Sequence, residues 1–153
     1  MFEAKREIIN REEIDKIIRS SRVCRLAVAT DNIPYIVPLS FGYDGEFLYF
    51  HTGKKGKKID CFKRGPAVCF EFDHDVALAG DRKDPCKWTF TYKSVIGFGR
   101  VSELTLKEDK RYALNQIMLQ YSGRKWEFED ARIAAVRIWK VSIDSVTGRD
   151  KSR

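Results

Sequence analysis

The sequence predicts a mainly β chain, one antiparallel sheet rolled into a small closed or nearly closed barrel with helices on its flanks. Three observations carry this expectation. Strand-like runs follow one another directly, joined at Asp31-Asn32 and Asp44-Gly45, and Asp-Gly is among the strongest short-range hairpin signals. Six such runs fit into 153 residues, a length that suits one domain over 1–153 with a core of its own. Strands joined by tight turns favour antiparallel over parallel pairing.

The first element is a helix. Asn10 caps it, Glu13 stands where a capping box needs its acid, and Ile14, Ile17 and Ile18 share one face before Ser20-Ser21 ends the pattern. Three strands follow, over Val23–Thr30, Ile33–Tyr43 and Phe47–His51. Pro34 and Pro38 make the second an edge strand, or one locally unpaired at Pro38, because proline brings no N–H to a ladder. After the break TGKKG a short helix runs from Lys57 to about Arg64, stopped by Gly65-Pro66.

Ala67–Asp73 resumes as a strand. Residues 74–87 read as a polar loop, long for a hairpin and therefore a place for function. Trp88–Leu104 is a long strand whose Gly97 and Gly99 signal a bend, a bulge or a close approach. A second long helix covers Thr105–Tyr121, with Thr105 and Glu108 as a further capping box, and Ile133–Ile143 is the last strand.

Composition narrows the functional classes. Hydrophobic residues make up 43% and charged residues 33%, a globular balance. No apolar run reaches membrane-span length, and the charged MFEAKREIINREE start has no signal-peptide core, so the expectation is a cytoplasmic protein without membrane partners. Cys24, Cys61, Cys69 and Cys86 form no CxxC pair. The first three sit among apolar neighbours as buried thiols, and no metal is assigned, including at the loop of His74, Asp75 and Asp81.

The net charge of +7 concentrates at KKGKK over 54–58, with Lys63 and Arg64 beyond. Such a patch wants an anion. The segment FLYFHTGKKGKKIDCFKR is strand, glycine-containing loop, then helix start, where free N–H groups, the Thr52 hydroxyl and lysine ammoniums suit a phosphate. It is neither a Walker loop nor GxGxxG. Tyr49, Phe50 and Phe62 beside the lysines could stack bases, but their spacing fits a core and no nucleic-acid-binding pattern accompanies them, so no nucleic-acid partner is assigned. Trp88, Trp126 and Trp139 read as core or interface residues. His51 closes the strand beside the basic loop and pairs with no candidate nucleophile.

The segment YIVPLSFGYDGEFLYFHTGKKGKKID resembles the FMN-binding half of the pyridoxamine 5′-phosphate oxidase-related family, and within it the nitroimidazole-resistance-like flavoproteins. YKSVIGFGRV at 92–101 and VSIDSVTGR at 141–149 resemble later blocks of the same family, in the same order. The resemblance implies a six-stranded antiparallel split β-barrel of the FMN-binding type, built as a homodimer with FMN at the subunit interface. It implies further that Val37, Pro38 and Leu39 lie against the isoalloxazine ring and that His51 and Thr52 run toward the ribityl phosphate. Lys57, with Lys58 beside it, matches the phosphate-binding position, and Tyr92, Ser94 and Val95 line the cleft that a second subunit closes.

The activity it implies is an FMN-dependent oxidoreductase passing electrons from a reduced nicotinamide to a small organic acceptor, a nitro compound among the candidates. In that scheme the flavin does the chemistry and His51 is the candidate catalytic group, contributing a proton or a hydrogen bond. The alternatives are a non-catalytic flavin- or heme-binding protein, with His51 as an iron ligand, and a pyridoxamine 5′-phosphate oxidase-like enzyme. The last lacks the family's substrate-phosphate arginine pattern in the tail VTGRDKSR.

Overall fold

The computed structural model describes residues 6–152. Among them, β1 (Glu7–Ile8) precedes α1 (Arg11–Ser20), and β2 (Cys24–Thr30), β3 (Ile33–Leu39), β4 (Gly42–Tyr43) and β5 (Phe47–Thr52) follow. Then come α2 (Lys57–Arg64), β6 (Ala67–Ala79), β7 (Thr89–Leu104), α3 (Lys107–Ser122), α4 (Asp130–Ala134) and β8 (Arg137–Asp150). The strands make one antiparallel sheet in the order β3-β2-β6-β7-β8-β5-β4, with β1 on β8. The order never returns to its start, so the sheet curls into a split barrel and does not close.

Local chemistry explains most boundaries. Asn10 Oδ1 accepts the Glu13 N–H at 3.2 Å, and Ile14, Ile17 and Ile18 are buried against the sheet. Asp31 and Asn32 both take positive φ, 54° and 62°, the mirror-image turn that matches strand twist. At the next turn Asp44 Oδ1 accepts the N–H groups of Glu46 and Phe47, while Oδ2 accepts the Tyr49 and Tyr112 hydroxyls. Those four bonds hold the Asp44 carboxyl below the usual carboxylate range in spite of its partial burial.

The helix α2 spans the split. It packs on β2, and its Phe62 ring meets Phe50 of β5 at 5.4 Å and Trp139 of β8 at 5.1 Å, so one helix touches both halves of the sheet. The inner face is one continuous core of Leu26, Phe41, Leu48, Phe70, Phe72, Val95 and Val141. Gly97 and Gly99 face it from β7. A Cβ on Gly97 would lie 2.2 Å from the Phe70 ring, and on Gly99 2.1 Å from the Ser142 carbonyl oxygen beside a register shift after Phe98. Close approach and a bulge are therefore both present at the glycine pair.

Several expectations are corrected. The second strand does not run from Ile33 to Tyr43: it breaks after Leu39 into β3 and β4, which pair with β2 and β5 respectively. Pro38 is in register opposite Arg25, not unpaired; the edge position of β3 tolerates both prolines. Residues 74–79 are strand, not loop. β6 passes a bulge between His74 and Ala77, with Asp75 at φ 53°, and pairs with the start of β7 as a two-stranded arm.

The Thr105–Glu108 box does not form, because α3 starts at Lys107 with Leu106 as its uncapped N-terminal neighbour. Ile133 belongs to α4, and the last strand runs later, over Arg137–Asp150. Division of the second strand and the addition of Glu7–Ile8 bring the six predicted strands to eight in the described sheet. Of the tryptophans only Trp139 is core, 2% exposed, whereas Trp88 and Trp126 are 53% and 41% exposed. Cys24 and Cys61 are buried, Cys69 is half-buried and Cys86 is exposed. No described helix is long and apolar enough to cross a membrane.

Candidate functional site

The edge strand β3 sets the first side of the site. Antiparallel partners alternate between residues that exchange backbone bonds and residues whose N–H and C=O point away. Pro34 and Pro38 have no N–H to give, so they and Ile36 are the outward-pointing set, opposite Ala29, Arg25 and Ala27. The open edge therefore offers the Pro34, Ile36 and Pro38 carbonyls and the Ile36 N–H. Val37 and Leu39 spend their backbone groups on β2, and their side chains lie half-buried and buried against the core. Backbone groups for a ring are thus available at this strand on Pro38 and Ile36.

The second side is the end of β5 with the start of α2. His51 lies on the exposed face of β5, and packing around its ring together with the Lys58 charge lowers its pKa from the ordinary histidine value. Its imidazole is neutral at pH 7, suited to a hydrogen bond and poorly charged as a proton reservoir. Thr52 is 3% exposed, and its hydroxyl accepts from Trp139 Nε1 at 2.9 Å and donates to the Gly53 carbonyl at 2.9 Å. That oxygen serves the core, so only a change at Gly53 would free its proton for a phosphate. Sequence alone could not show this, since Trp139 lies 87 positions away.

Lys57 joins the two sides. Its ammonium sits 4.7 Å from the Tyr35 ring centroid on β3, a cation–π contact that draws the α2 start over the edge strand. Gly56 contributes no capping side chain, which leaves the first α2 N–H groups without a side-chain acceptor. Lys54, by contrast, reaches away to the Ala134 carbonyl at 2.5 Å. The lysines of the run are therefore not equivalent.

The third group lies elsewhere. Val95 is wholly buried in the core, while Tyr92 and Ser94, with Ile96, line an open cavity of about 370 Å³ against Thr147 and Arg149 of β8. Leu104 is the β7 residue whose partner, Ile138, also faces His51. Ten residues of strand separate Ser94 from Leu104, about 33 Å of extended chain. The structure thus brings together His51, Lys57 and Lys58, with Lys57 on Tyr35 of β3, and leaves Tyr92, Ser94 and Val95 away from them, while Pro38 falls in the row Pro38–Arg25–Glu71–Ile96, level with the β7 group.

Between them runs an outer face that sequence reading missed. Ile36, Ala27, Cys69 and Phe98 fall in one row across β3, β2, β6 and β7. Ile36 is 61% and Phe98 56% exposed. The row is a product of register, and no local pattern reports it.

Comparison with known proteins agrees with this architecture. The family model for pyridoxamine 5′-phosphate oxidase matches residues 10–150. A candidate 5-nitroimidazole antibiotic resistance protein of Bacteroides thetaiotaomicron superposes with a TM-score of 0.82 at 31% identity, covering 93% of this chain and 84% of that one. An FAD-binding protein of Mesorhizobium loti gives 0.69 at 28% identity, with 95% and 96% covered. An FAD- and heme-binding protein of Mycobacterium smegmatis shares the fold, 0.82 at 16% identity over 97% and 74%. An uncharacterized protein of Rhizobium meliloti is 31% identical over 97 residues, 63% of this chain, and the match spans 56% of that protein's length.

Proposed function

The chain belongs to the pyridoxamine 5′-phosphate oxidase family, and we propose that it is a flavin-binding oxidoreductase, holding FMN between two copies of itself and passing electrons to a small organic acceptor. The observation that carries this reading is the meeting of the open β3 edge, the β5 end and the α2 start around Lys57. That end offers what a flavin mononucleotide asks for: unpaired backbone groups for the polar edge of a ring, then lysine charge and free helix N–H groups for a phosphate. FMN would supply hydride and electron transfer when bound. The chain's own part is to bind and orient. Pro38 and Ile36 present backbone groups, Lys57 and Lys58 hold the anion, and neutral His51 offers a hydrogen bond beside them.

Tyr92 and Ser94 stand three strands across the sheet and five or more residues along β7 from the Tyr35–Gly99 row on which Lys57 sits, and this separation supports the shared site. Both groups border one ligand only if a second copy brings its β7 to the first copy's β3 edge. The prolines of that edge oppose strand-to-strand addition, so the copies would meet face to face through the Ile36–Phe98 row. Among relatives above 25% identity, the names point to nitroimidazole resistance and to flavin binding, and both fit a flavin-dependent reduction.

Removal of single lysines tests the phosphate end. Lys57→Ala weakens FMN binding about tenfold to a hundredfold, the loss expected for one charged hydrogen bond. Lys54→Ala and Lys55→Ala weaken it much less. Titration of the flavin-free protein with FMN, followed by flavin fluorescence, gives the three constants. Equal small losses would indicate a diffuse field and no built phosphate site.

A further inference from the structure

The cavity of about 370 Å³ between β7, β8 and β1 holds polar groups that the rest of the chain does not engage. Register places them together. Ser94, Arg149 and Glu7 stand side by side on the three strands, Thr147 lies two positions along β8, and Tyr92 and Ile96 flank Ser94 on β7. Their side chains therefore share the outer face. We propose that this cavity binds the carboxylate of a small organic anion on the Arg149 guanidinium. Calling that anion the protein's substrate rests on the flavin reading above; the cavity's choice of a carboxylate does not.

Arg149 lacks a counter-ion. It is half-buried, with Nε closed off from solvent and without a hydrogen-bond partner. Its Nη groups also make no hydrogen bond or ion pair with any described residue, but they keep contact with solvent. That open Nη pair is the side a ligand reaches, and a carboxylate meets it with two parallel bonds. A guanidinium desolvated on one edge with no counter-charge is costly, and an anion from outside removes that cost.

The neighbouring acids do not supply the charge. Glu7 is the cross-strand neighbour of Arg149, yet it is exposed and forms no ion pair with it. Asp73, beyond Ser94 in the same row, is held by Arg25 at 3.0 Å. The Tyr92, Ser94 and Thr147 hydroxyls line the cavity without a hydrogen-bond partner among the described residues, and each can donate to the same anion. Lys151 stands at the Tyr92 end, its ammonium 5.7 Å from that ring centroid and bonded to the Thr89 hydroxyl. Arg149 and Lys151 against Glu7 leave one net positive charge, which suits a carboxylate and falls short of a phosphate dianion. Ile96, 47% exposed, gives the ligand's apolar body a surface to cover. In the shared-site reading Tyr92 and Ser94 border the flavin. Arg149 lies one strand further on, where a substrate beside the ring would place its anionic end.

Four probes decide it: benzoate, benzamide, benzamidine and inorganic phosphate. Each is titrated into the protein as purified and again after saturation with FMN, followed by the amide resonances of Ser94, Thr147 and Arg149. Benzoate should bind best in both, benzamide and phosphate more weakly, and benzamidine not detectably. Arg149→Gln should weaken benzoate about tenfold to a hundredfold and leave it no tighter than benzamide. Arg149→Lys keeps the charge without the fork and should fall between. Glu7→Gln should tighten benzoate roughly two- to fivefold, a gain that a merely structural role would not give. It also tests the cavity where an Arg149 variant fails to fold. Benzamide or benzamidine binding as well as benzoate, resonances moving elsewhere, or Arg149→Gln binding unchanged would each overturn the proposal. So would displacement of benzoate by FMN, which would assign the cavity to the cofactor. Flavin content, read from the visible spectrum of the same samples, separates the two readings. Benzoate binding in a protein that takes up no flavin removes the substrate role alone, and a flavoprotein without benzoate binding removes the carboxylate site.

Discussion

Phe98→Lys should yield a folded monomer that no longer retains flavin. Phe98 projects from β7 on the outer face, 56% exposed, in register with Cys69, Ala27 and Ile36. The inner core does not use this side chain, so substitution leaves the barrel intact, as circular dichroism and the thermal midpoint would show. A two-fold partner would bring the same row against itself, and a lysine there places two uncompensated ammonium groups in one contact. The charge costs several kcal/mol if the row is the interface. Sedimentation at low micromolar concentration should show half the wild-type mass, and the flavin absorbance should vanish with the dimer. A Phe98→Lys protein that stays dimeric places the interface elsewhere; a monomer that keeps FMN refutes the shared site.

Gly97→Ala should cost roughly 1–3 kcal/mol of stability, the range for overfilling a packed core. The added methyl group would lie 2.2 Å from the Phe70 ring, which is itself 1% exposed and edge-on to Phe72 at 5.9 Å. Because the obstacle is a side chain, Phe70→Leu in the same protein should recover part of the loss, a coupling that a double-mutant cycle in urea would measure. Gly99→Ala differs in kind. There the obstacle is the Ser142 carbonyl oxygen at 2.1 Å, part of the backbone beside the bulge, and no neighbouring truncation should restore stability. Additive effects of Gly97→Ala and Phe70→Leu would contradict the packing described for β7.

Where chemistry was local, the sequence was readable. The Asn10 cap, the Asp31-Asn32 turn, and both ends of α2 needed only neighbours within a few positions. Where structure depended on distant pairing, it was not. His74–Ala79 looked like a loop because an arm of two strands, exposed on both faces, needs no alternation of polar and apolar residues, and the bulge at Asp75 disguised the period further. Ile133 matched the alternation of the last strand but belongs to α4.

The site divided in the same way. Lys57 at a helix start and His51 at a strand end are visible as motifs. The engagement of Thr52 by Trp139 and the Ile36–Phe98 row are properties of register, as is the place of Glu71 opposite Arg25 and Ile96. No single stretch of chain contains them.

The ligand is tested most directly by the identity and amount of the small molecule released when the native protein is denatured. Chromatography of the released material against authentic standards should give FMN, one equivalent per chain, with a native visible spectrum showing flavin bands alone. FAD in its place would contradict the mononucleotide site at Lys57. An intense Soret band, or a protein that neither carries FMN nor takes it up when it is supplied, would contradict the flavin reading as a whole.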